Sequence, residues 1–395
     1  MKNLKIFTSN IEENAKSQIE LLLEQDAFKD CKVRIMPDVH AGSGCVIGFT
    51  ADLGEKVIPN VVGVDIGCGM LWARFKNKDI DLKKLDEFIR ANIPSGMNVR
   101  EKALKQPFDL TELRCYRELK NEHHWLEKSL GTLGGGNHFI EVDKAENGDL
   151  YLVIHTGSRN LGKQVCDIYQ KKAIEYHSYD HDLKKEQQEI IDTYKAQGKR
   201  NEIGKALHEL RNKYRCQTKL PKDLCYLEGQ DREDYLHDMK LCQDWAFYNR
   251  MWICSDIDEH FGGTTDGRET VHNYIGHDNI VRKGAISARK GELVLIPMNM
   301  RDGCLIARGK GNPDWNYSAP HGAGRIMSRM EAKKKLNVDD FVDTMKNVYS
   351  TSVCADTLDE APMVYKPMDE IIKNIGETVE IVDIIKPIYN FKAKE

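Results

Sequence analysis

The stretch Val64-Asp65-Ile66-Gly67-Cys68-Gly69 sets a carboxylate and a thiol three residues apart among glycines. Gly63, Gly67 and Gly69 relax the steric limits on the backbone, so a sharp turn there can point Asp65 and Cys68 at one ion. A hard oxygen beside a soft sulfur suits a borderline divalent metal such as Mn, Zn, Fe(II) or Co, and suits Mg or Ca poorly. A Gly-Cys-Gly turn around an inert buried thiol explains this motif at least as well when it is taken alone. Four histidines elsewhere, each in a glycine-rich or strand-end setting, alter that balance.

The first lies in Gly131-Thr132-Leu133-Gly134-Gly135-Gly136-Asn137-His138-Phe139-Ile140-Glu141, where a glycine run delivers Asn137 and His138 to the start of a predicted strand. Extended backbone over 138–142 turns His138 and Glu141 to opposite faces, leaving Asn137 and Glu141 to serve a ligand beside a metal held by His138. The run lacks a Walker lysine, so it is no P-loop. The second, His155, ends the apolar run Tyr151–Ile154 and precedes Thr156-Gly157-Ser158-Arg159. The third is His272 in His272-Asn273-Tyr274, followed by Arg282 and Lys283. The fourth, His321, stands between Pro320 and Gly322 in Ser318-Ala319-Pro320-His321-Gly322-Ala323-Gly324-Arg325, on backbone open enough for a substrate to reach the ring and the N–H groups. A histidine in that setting can be a metal ligand, a general acid or base, or a covalent nucleophile, and spacing alone does not choose.

These residues need elements to position them. Glycine, β-branched residues and turn signals concentrate in 33–75, 131–163 and 271–325, with strands expected at Lys32–Met36, Leu71–Phe75, Tyr151–Ile154 and Glu292–Ile296. Helical spacing marks 11–27, 82–92, 118–130, 165–214, 231–260 and 339–349. The reading is an α+β fold, one domain over 1–395 of mixed sheets around a buried centre, with a helical excursion at about 165–260 whose charged part, 165–214, forms an exposed arm.

Composition narrows the class. The chain has 395 residues, 41% hydrophobic and 30% charged, ordinary for a globular protein. The first residues lack the apolar core of a signal peptide, and no segment approaches the roughly 18 apolar residues of a membrane helix. Eleven irregularly spaced cysteines read as reduced thiols in a cytoplasmic protein, not as a disulfide framework. Net charge is −4, yet from Arg282 to Lys335 twelve basic residues face four acidic ones. That local excess is a candidate phosphate-binding surface, or else a set of solvated helix faces.

Together the motifs resemble the RtcB-type RNA-splicing ligases. Met36-Pro37-Asp38-Val39-His40, VGVDIGCGM, LGTLGGGNHFIEV, HTGSR, HNY, RKGAISAR, HGAGR with MSR, and DEAPMVYK occur in family order and at family-like spacing. The resemblance implies an enzyme that joins an RNA end bearing a 2′,3′-cyclic phosphate or 3′-phosphate to a 5′-hydroxyl end. It implies GTP as co-substrate and two divalent ions, Mn2+ as a rule, with Zn2+ or Co2+ as alternatives. By similarity Asp65, Cys68, His138, His155 and His272 are the metal ligands, with Cys68 shared between the ions. His321 is the nucleophile that carries GMP, Asp38 is needed for activity, and Arg325 and Lys283 contact phosphate. Asn137 meets the nucleotide phosphates, Glu141 and Lys392 the guanine, Tyr365 stacks on it, and Gly322, Ala323 and Gly324 belong to the same nucleotide site. The expected partner is RNA, recognised at single-stranded ends, with room for an activating protein.

The sequence departs from the family pattern at several points. After Pro297 it reads Met298-Asn299-Met300-Arg301-Asp302, where the family usually has Gly-Ser-Met-Gly; Asn299 can still donate and accept hydrogen bonds near the base. Pro367 replaces the usual aspartate, Asn160 follows Arg159, and the chain ends Lys392-Ala393-Lys394-Glu395, which offers two lysines to the base. These changes bear on nucleotide and RNA-end choice, and point to repair more than tRNA maturation. Two other classes stay open, a metal-dependent phosphodiesterase or phosphatase that acts on RNA ends without ligation, and a non-catalytic RNA-binding homologue.

Overall fold

Period-two runs such as Phe139-Ile140-Glu141-Val142-Asp143 pair into sheets in the computed structural model, which describes residues 3–120, 123–178, 180–214, 218 and 220–393. In chain order the elements begin β1 (Leu4–Ile6), α1 (Glu13–Leu23), β2 (Val33–His40), β3 (Ile47–Asp52), α2 (Pro59–Val62), β4 (Gly69–Phe75), α3 (Leu82–Asn92), α4 (His123–Lys128), β5 (Phe139–Lys144) and β6 (Leu150–Thr156). Helices α5 (Arg159–Tyr176), α6 (Asp180–Ala196), α7 (Ile203–Tyr214) and α8 (Gly229–Phe261) follow. The remainder is β7 (Thr264–Val271), β8 (Asn273–Ile275), β9 (Ile280–Lys283), β10 (Ala285–Ser287), β11 (Leu293–Asn299), β12 (Gly303–Gly309), β13 (Ser318–Pro320), α9 (Arg329–Lys335), α10 (Val338–Met345), α11 (Met368–Ile375) and β14 (Val379–Lys392). Each expected strand overlaps one of these.

Among the described residues one sheet has the order β11-β12-β14-β5-β6-β4-β7 and another β1-β2-β3-β9-β8, while β10 pairs with β13. The β1–β2 pair is parallel and the pairs that follow it are antiparallel, so the fold is α+β with mixed sheets, as expected. Side-chain alternation gives the larger sheet two apolar faces. Leu71, Ile140, Val142, Leu152 and Ile154 pack against Leu85 and Ile89 of α3 and Ile253 and Ile257 of α8. On the other face Met70, Trp72, Phe139 and Val153 meet Leu295, Cys304, Ile306 and Ile385 from β11, β12 and β14. That contact requires the sheet to curl, and the Leu295 N–H donates to Thr270 Oγ1 at 3.1 Å, bringing edge strands β11 and β7 together.

The helical excursion is only partly an arm. Leu161, Val165, Tyr169 and Ala173 recur every four residues along one side of α5 and are fully buried in the core with α2 and α8. Fully burying a residue such as Leu161 contributes about 1.5–3 kcal/mol, too much for an exposed element. The expectation of an exposed arm from residue 165 is therefore corrected: α5 and α8 belong to the core, and the arm is the hairpin α6–α7 between them. Nine of the ten described cysteines are buried and all ten are free thiols; Cys216 lies outside the described residues.

Candidate active site

Because β4, β5, β6 and β7 alternate in direction, the starts of β4 and β5 and the ends of β6 and β7 share one edge of the curled sheet. Cys68 precedes β4, His138 precedes β5, His155 is the penultimate residue of β6 and His272 follows β7. The Cys68 thiol sits 3.2 Å from His155 Nε2 and 3.5 Å from His138 Nε2. Asp65 Oδ2 is 3.0 Å from His138 Nε2, and His272 Nε2 is 3.4 Å from His155 Nε2. The sulfur thus lies between two groups, Asp65 with His138 and His155 with His272. A Cβ on Gly157 would lie 2.1 Å from Asp65 Oδ1, so the HTGSR turn needs glycine there to admit that carboxylate.

Hydrogen bonds fix the imidazoles. His138 Nδ1–H donates to the Leu133 carbonyl at 2.9 Å and His155 Nδ1–H to the Asn137 carbonyl at 3.1 Å, leaving both Nε2 lone pairs free to coordinate. Burial, reinforced by the neighbouring histidines, holds His155 and His272 well below the ordinary histidine range, so both stay neutral. Burial pushes Asp65 up, but His138, the Cys68 thiol and Arg159 outweigh it and hold the carboxyl well below its ordinary value. Burial and Asp65 push the Cys68 thiol well up. Three buried imidazole nitrogens, a buried thiol and the oxygen of the half-buried Asp65 fit a borderline divalent metal.

His321 continues the row of rings. Ring centroids of His138 and His155, His155 and His272, and His272 and His321 are 5.2, 5.2 and 4.9 Å apart. His321 follows β13, and Asp38 reaches it from β2, fully buried. Asp38 Oδ2 accepts from His321 Nδ1 at 2.7 Å and from the backbone N–H groups of His321 and Gly322 at 3.1 and 3.2 Å. The Nδ1–H is thereby committed to Asp38, and Nε2 carries the lone pair. Gly324, at φ +75° and with Cβ space filled by the Asp38 carbonyl at 2.1 Å, closes the turn around this aspartate.

A cavity of about 310 Å³ joins these parts. Asn137, Glu141, Asn299, Tyr365 and Lys392 line it, as do His321 and Gly322 to Arg325. Glu141 is held by Asn390 of β14, and burial pushes its carboxyl up to about 6. Glu360 ties the far wall together. It accepts from Tyr365 Oη at 2.6 Å, Lys392 Nζ at 2.7 Å, Arg325 Nη1 at 3.2 Å and Arg329 Nη2 at 3.2 Å. Burial opposes its charge, but Lys392, Arg329 and Arg325 hold it down at about 2. The Asn299 amide caps its own loop: Oδ1 accepts from the Arg301 and Asp302 N–H groups, and Nδ2 donates to Asp302.

The structure thus brings Asp38, Asp65, Cys68, Asn137, His138, Glu141, His155, His272, Asn299, His321, Arg325, Tyr365 and Lys392 to one cavity and its wall. Lys283 is elsewhere engaged: its ammonium is buried and donates to the carbonyls of Ser43 at 2.8 Å and Asn60 at 2.7 Å, which corrects its expected role at phosphate. Lys394, the other lysine offered to the base, lies outside the described residues. Sequence reasoning left out His40, Asn390 and Glu360. MPDVH and DEAPMVYK contain two of them, but nothing local marks Glu360 as the partner of four groups up to 35 positions away.

No helix among the described residues is long and apolar enough to cross a membrane. Compared with known proteins, residues 26–126 and 117–393 match the profile of the family described as tRNA-splicing ligase RtcB. The RNA-splicing ligase RtcB of Escherichia coli K12 is 29% identical over 404 residues, covering 91% of this chain and 90% of that protein. The tRNA-splicing ligase RtcB of Archaeoglobus fulgidus is 28% identical, with 86% and 82% covered. RNA-splicing ligase RtcB homolog 2 of Entamoeba dispar is 24% identical, with 90% and 78% covered.

Proposed function

The chain belongs to the RtcB family, and on that premise we propose that it is an RNA ligase, joining a 2′,3′-cyclic phosphate or 3′-phosphate end to a 5′-hydroxyl end through a GMP-histidine intermediate. The observation that carries this reading is the row of imidazoles that runs from the Cys68 thiol to His321, whose Nδ1–H is held by Asp38. Asp65, Cys68, His138, His155 and His272 would hold two divalent ions, Mn2+ by family precedent, with the sulfur shared. Bound there, such ions supply Lewis-acid stabilisation of phosphate charge.

The residues of the chain do the rest. His321 Nε2 attacks the α-phosphorus of GTP as the bond to pyrophosphate breaks, and Asp38 steadies the positive charge that forms on the ring. A 2′,3′-cyclic end is first hydrolysed to the 3′-phosphate; an oxygen of that phosphate then takes GMP from His321, and the 5′-hydroxyl attacks the RNA phosphorus, losing its proton as GMP leaves. Asn137 and the backbone from Gly322 to Gly324 contact phosphate, Glu141 and Lys392 the base, and Tyr365 stacks on it. The chain acts as one catalytic unit on this reading, with α6–α7 as an appended arm.

Intact mass after incubation with Mn2+ and GTP tests the proposal. The expected result is a gain of one GMP, absent in His321→Ala while that variant keeps its metal. If no adduct forms with Mn2+, Zn2+ or Co2+ and the protein still opens 2′,3′-cyclic phosphates, the hydrolase reading replaces this one. The self-capped loop of Asn299 is the feature that favours that alternative.

A further inference from the structure

Glu141 has a neighbour that the proposed chemistry does not use. Asp143 lies two positions on along β5, so both carboxyls point into the curled sheet. Asp143 is fully buried, and among the described residues no N–H or O–H donor is within hydrogen-bond distance of either of its oxygens; only the weakly donating Cys304 thiol faces it. One oxygen of each carboxyl and the Cys304 sulfur lie within 4.8 Å of one another. Every element around Asp143 withholds a cation. On β6 it faces Tyr151, on β14 Pro387, on β12 the Cys304 thiol, and on β4 the sheet interior presents Trp72, whose indole N–H also lacks a partner. Lys392 acts on the pair from the Glu141 side and is bonded to Glu360.

Two carboxylates cannot both be ionised side by side in such a place, because neither Coulomb attraction nor hydration offsets the cost. A single proton held between them resolves this. We propose that Asp143 is a positioning residue for the nucleobase: it keeps that proton, donates it as a hydrogen bond to Glu141, and so holds Glu141 as an ionised acceptor facing the cavity. The inference rests on the proposed reading in which Glu141 meets the base. Glu141 accepts from Asn390 and has the Lys392 ammonium on its side, whereas Asp143 has neither, so the charge settles on Glu141 and the proton on Asp143; burial raises both carboxyls. An ionised Glu141 accepts from a base edge with two adjacent N–H donors, as guanine has, and repels an edge that presents an acceptor there, as adenine does. Base choice is then set from beneath Glu141 by a group that never touches the nucleotide.

Two measurements test this. The first needs no nucleotide: infrared difference spectra at neutral pH between the wild type and Asp143→Asn should show the carbonyl stretch of a protonated carboxylic acid in the wild type alone. Its absence there overturns the proposal. The second uses KM for GTP in GMP uptake. Asp143→Leu removes this donor and leaves Glu141 with Asn390, so KM should rise about tenfold with kcat little changed, and should recover as pH is raised and Glu141 ionises without Asp143. Asp143→Asn can still donate and should stay within about threefold of the wild type. A wild type that takes up no GMP sinks the proposed function. A wild type that takes up GMP while Asp143→Leu keeps its KM sinks this inference instead. Loss of one metal ion per chain in Asp143→Leu also overturns it, since the carboxyl pair and Cys304 would then be a metal site.

Discussion

The Cys68 sulfur touches an imidazole on each side and is protonated in the absence of metal, since burial and Asp65 push the thiol up. Thiolate is the form that coordinates, so loading the site must expel that proton and affinity must weaken as pH falls. Titration calorimetry of Mn2+ binding in buffers of different ionisation enthalpy should register the release, and Cys68→Ala should lose both the bound metal and turnover. Full activity in Cys68→Ala would dispose of the shared-sulfur arrangement. A second residue-scale expectation concerns Asp38, which accepts three N–H groups at His321 and Gly322. Asp38→Asn removes the charge that steadies the ring, so GMP uptake should slow by about a hundredfold at unchanged metal content. An unaltered rate would make Asp38 a mere turn former. None of this geometry was legible in one motif; Asp65 and Cys68 were as well explained by a plain glycine turn. His138 and His155 stood out because one precedes and the other ends a predicted strand, whereas His272 was marked by nearby cations and His321 by its flanking proline and glycine, and the ligand set came from the family resemblance. Glu360 could not be read, because three of its four partners, Arg325, Arg329 and Lys392, arrive from distant parts of the sequence.

At the scale of elements, burial separates helices that sequence periodicity had merged. Along α5 the ladder Leu161, Val165, Tyr169, Ala173 lies among so many lysines that the helix resembles the exposed hairpin after it. Amphipathic spacing tells that a helix buries one face, but not whether a neighbour is there to bury it against. Leu161→Ala should therefore cost about 3 kcal/mol in urea unfolding, whereas Lys205→Ala on α7 should stay within about 0.5 kcal/mol. Equal effects would return α5 to the arm. The segment from Asp359 to Tyr365 is the matching case on the cavity wall. Glu360→Gln would leave Arg325, Arg329 and Lys392 without their common anion, and should destabilise the protein by about 3 kcal/mol or more. A Glu360→Gln protein of wild-type stability would show that these cations find other partners.

For the whole molecule, charge counted along the sequence misleads. The twelve basic residues from Arg282 to Lys335 seemed to outnumber their acids, but several are matched from outside that window. Asp278 pairs with Arg282 and Arg289, Asp359 with Arg329 and Lys333, and Glu360 with Arg325. Paired charges make a weaker field than the count implies, and this was unreadable because the acids arrive by tertiary contact. The same buried charges set the response to acid. Burial, with His321 nearby, lowers His40 to about 4, and His155 and His272 move the same way. Such groups bind protons more readily when unfolded, so metal-free protein should lose stability as pH drops from about 6.5 toward 4. Glu360, at about 2, adds stability that is present above 4.5 and lost as pH falls through 2; the raised carboxyls Glu141, at about 6, and Asp143 have the opposite sign and offset part of the histidine loss. Urea midpoints of chelated protein from pH 7 to 5 should fall, and a flat profile would refute the account. One further consequence follows from the curled sheet. Strand β14 is the last in chain order, yet it sits inside the sheet between β12 and β5 and carries Asn390 and Lys392 to the cavity. During synthesis, then, β5 and β12 must wait with open edges until residues 379–392 emerge, and no ribosome-bound fragment shorter than that can possess a finished pocket.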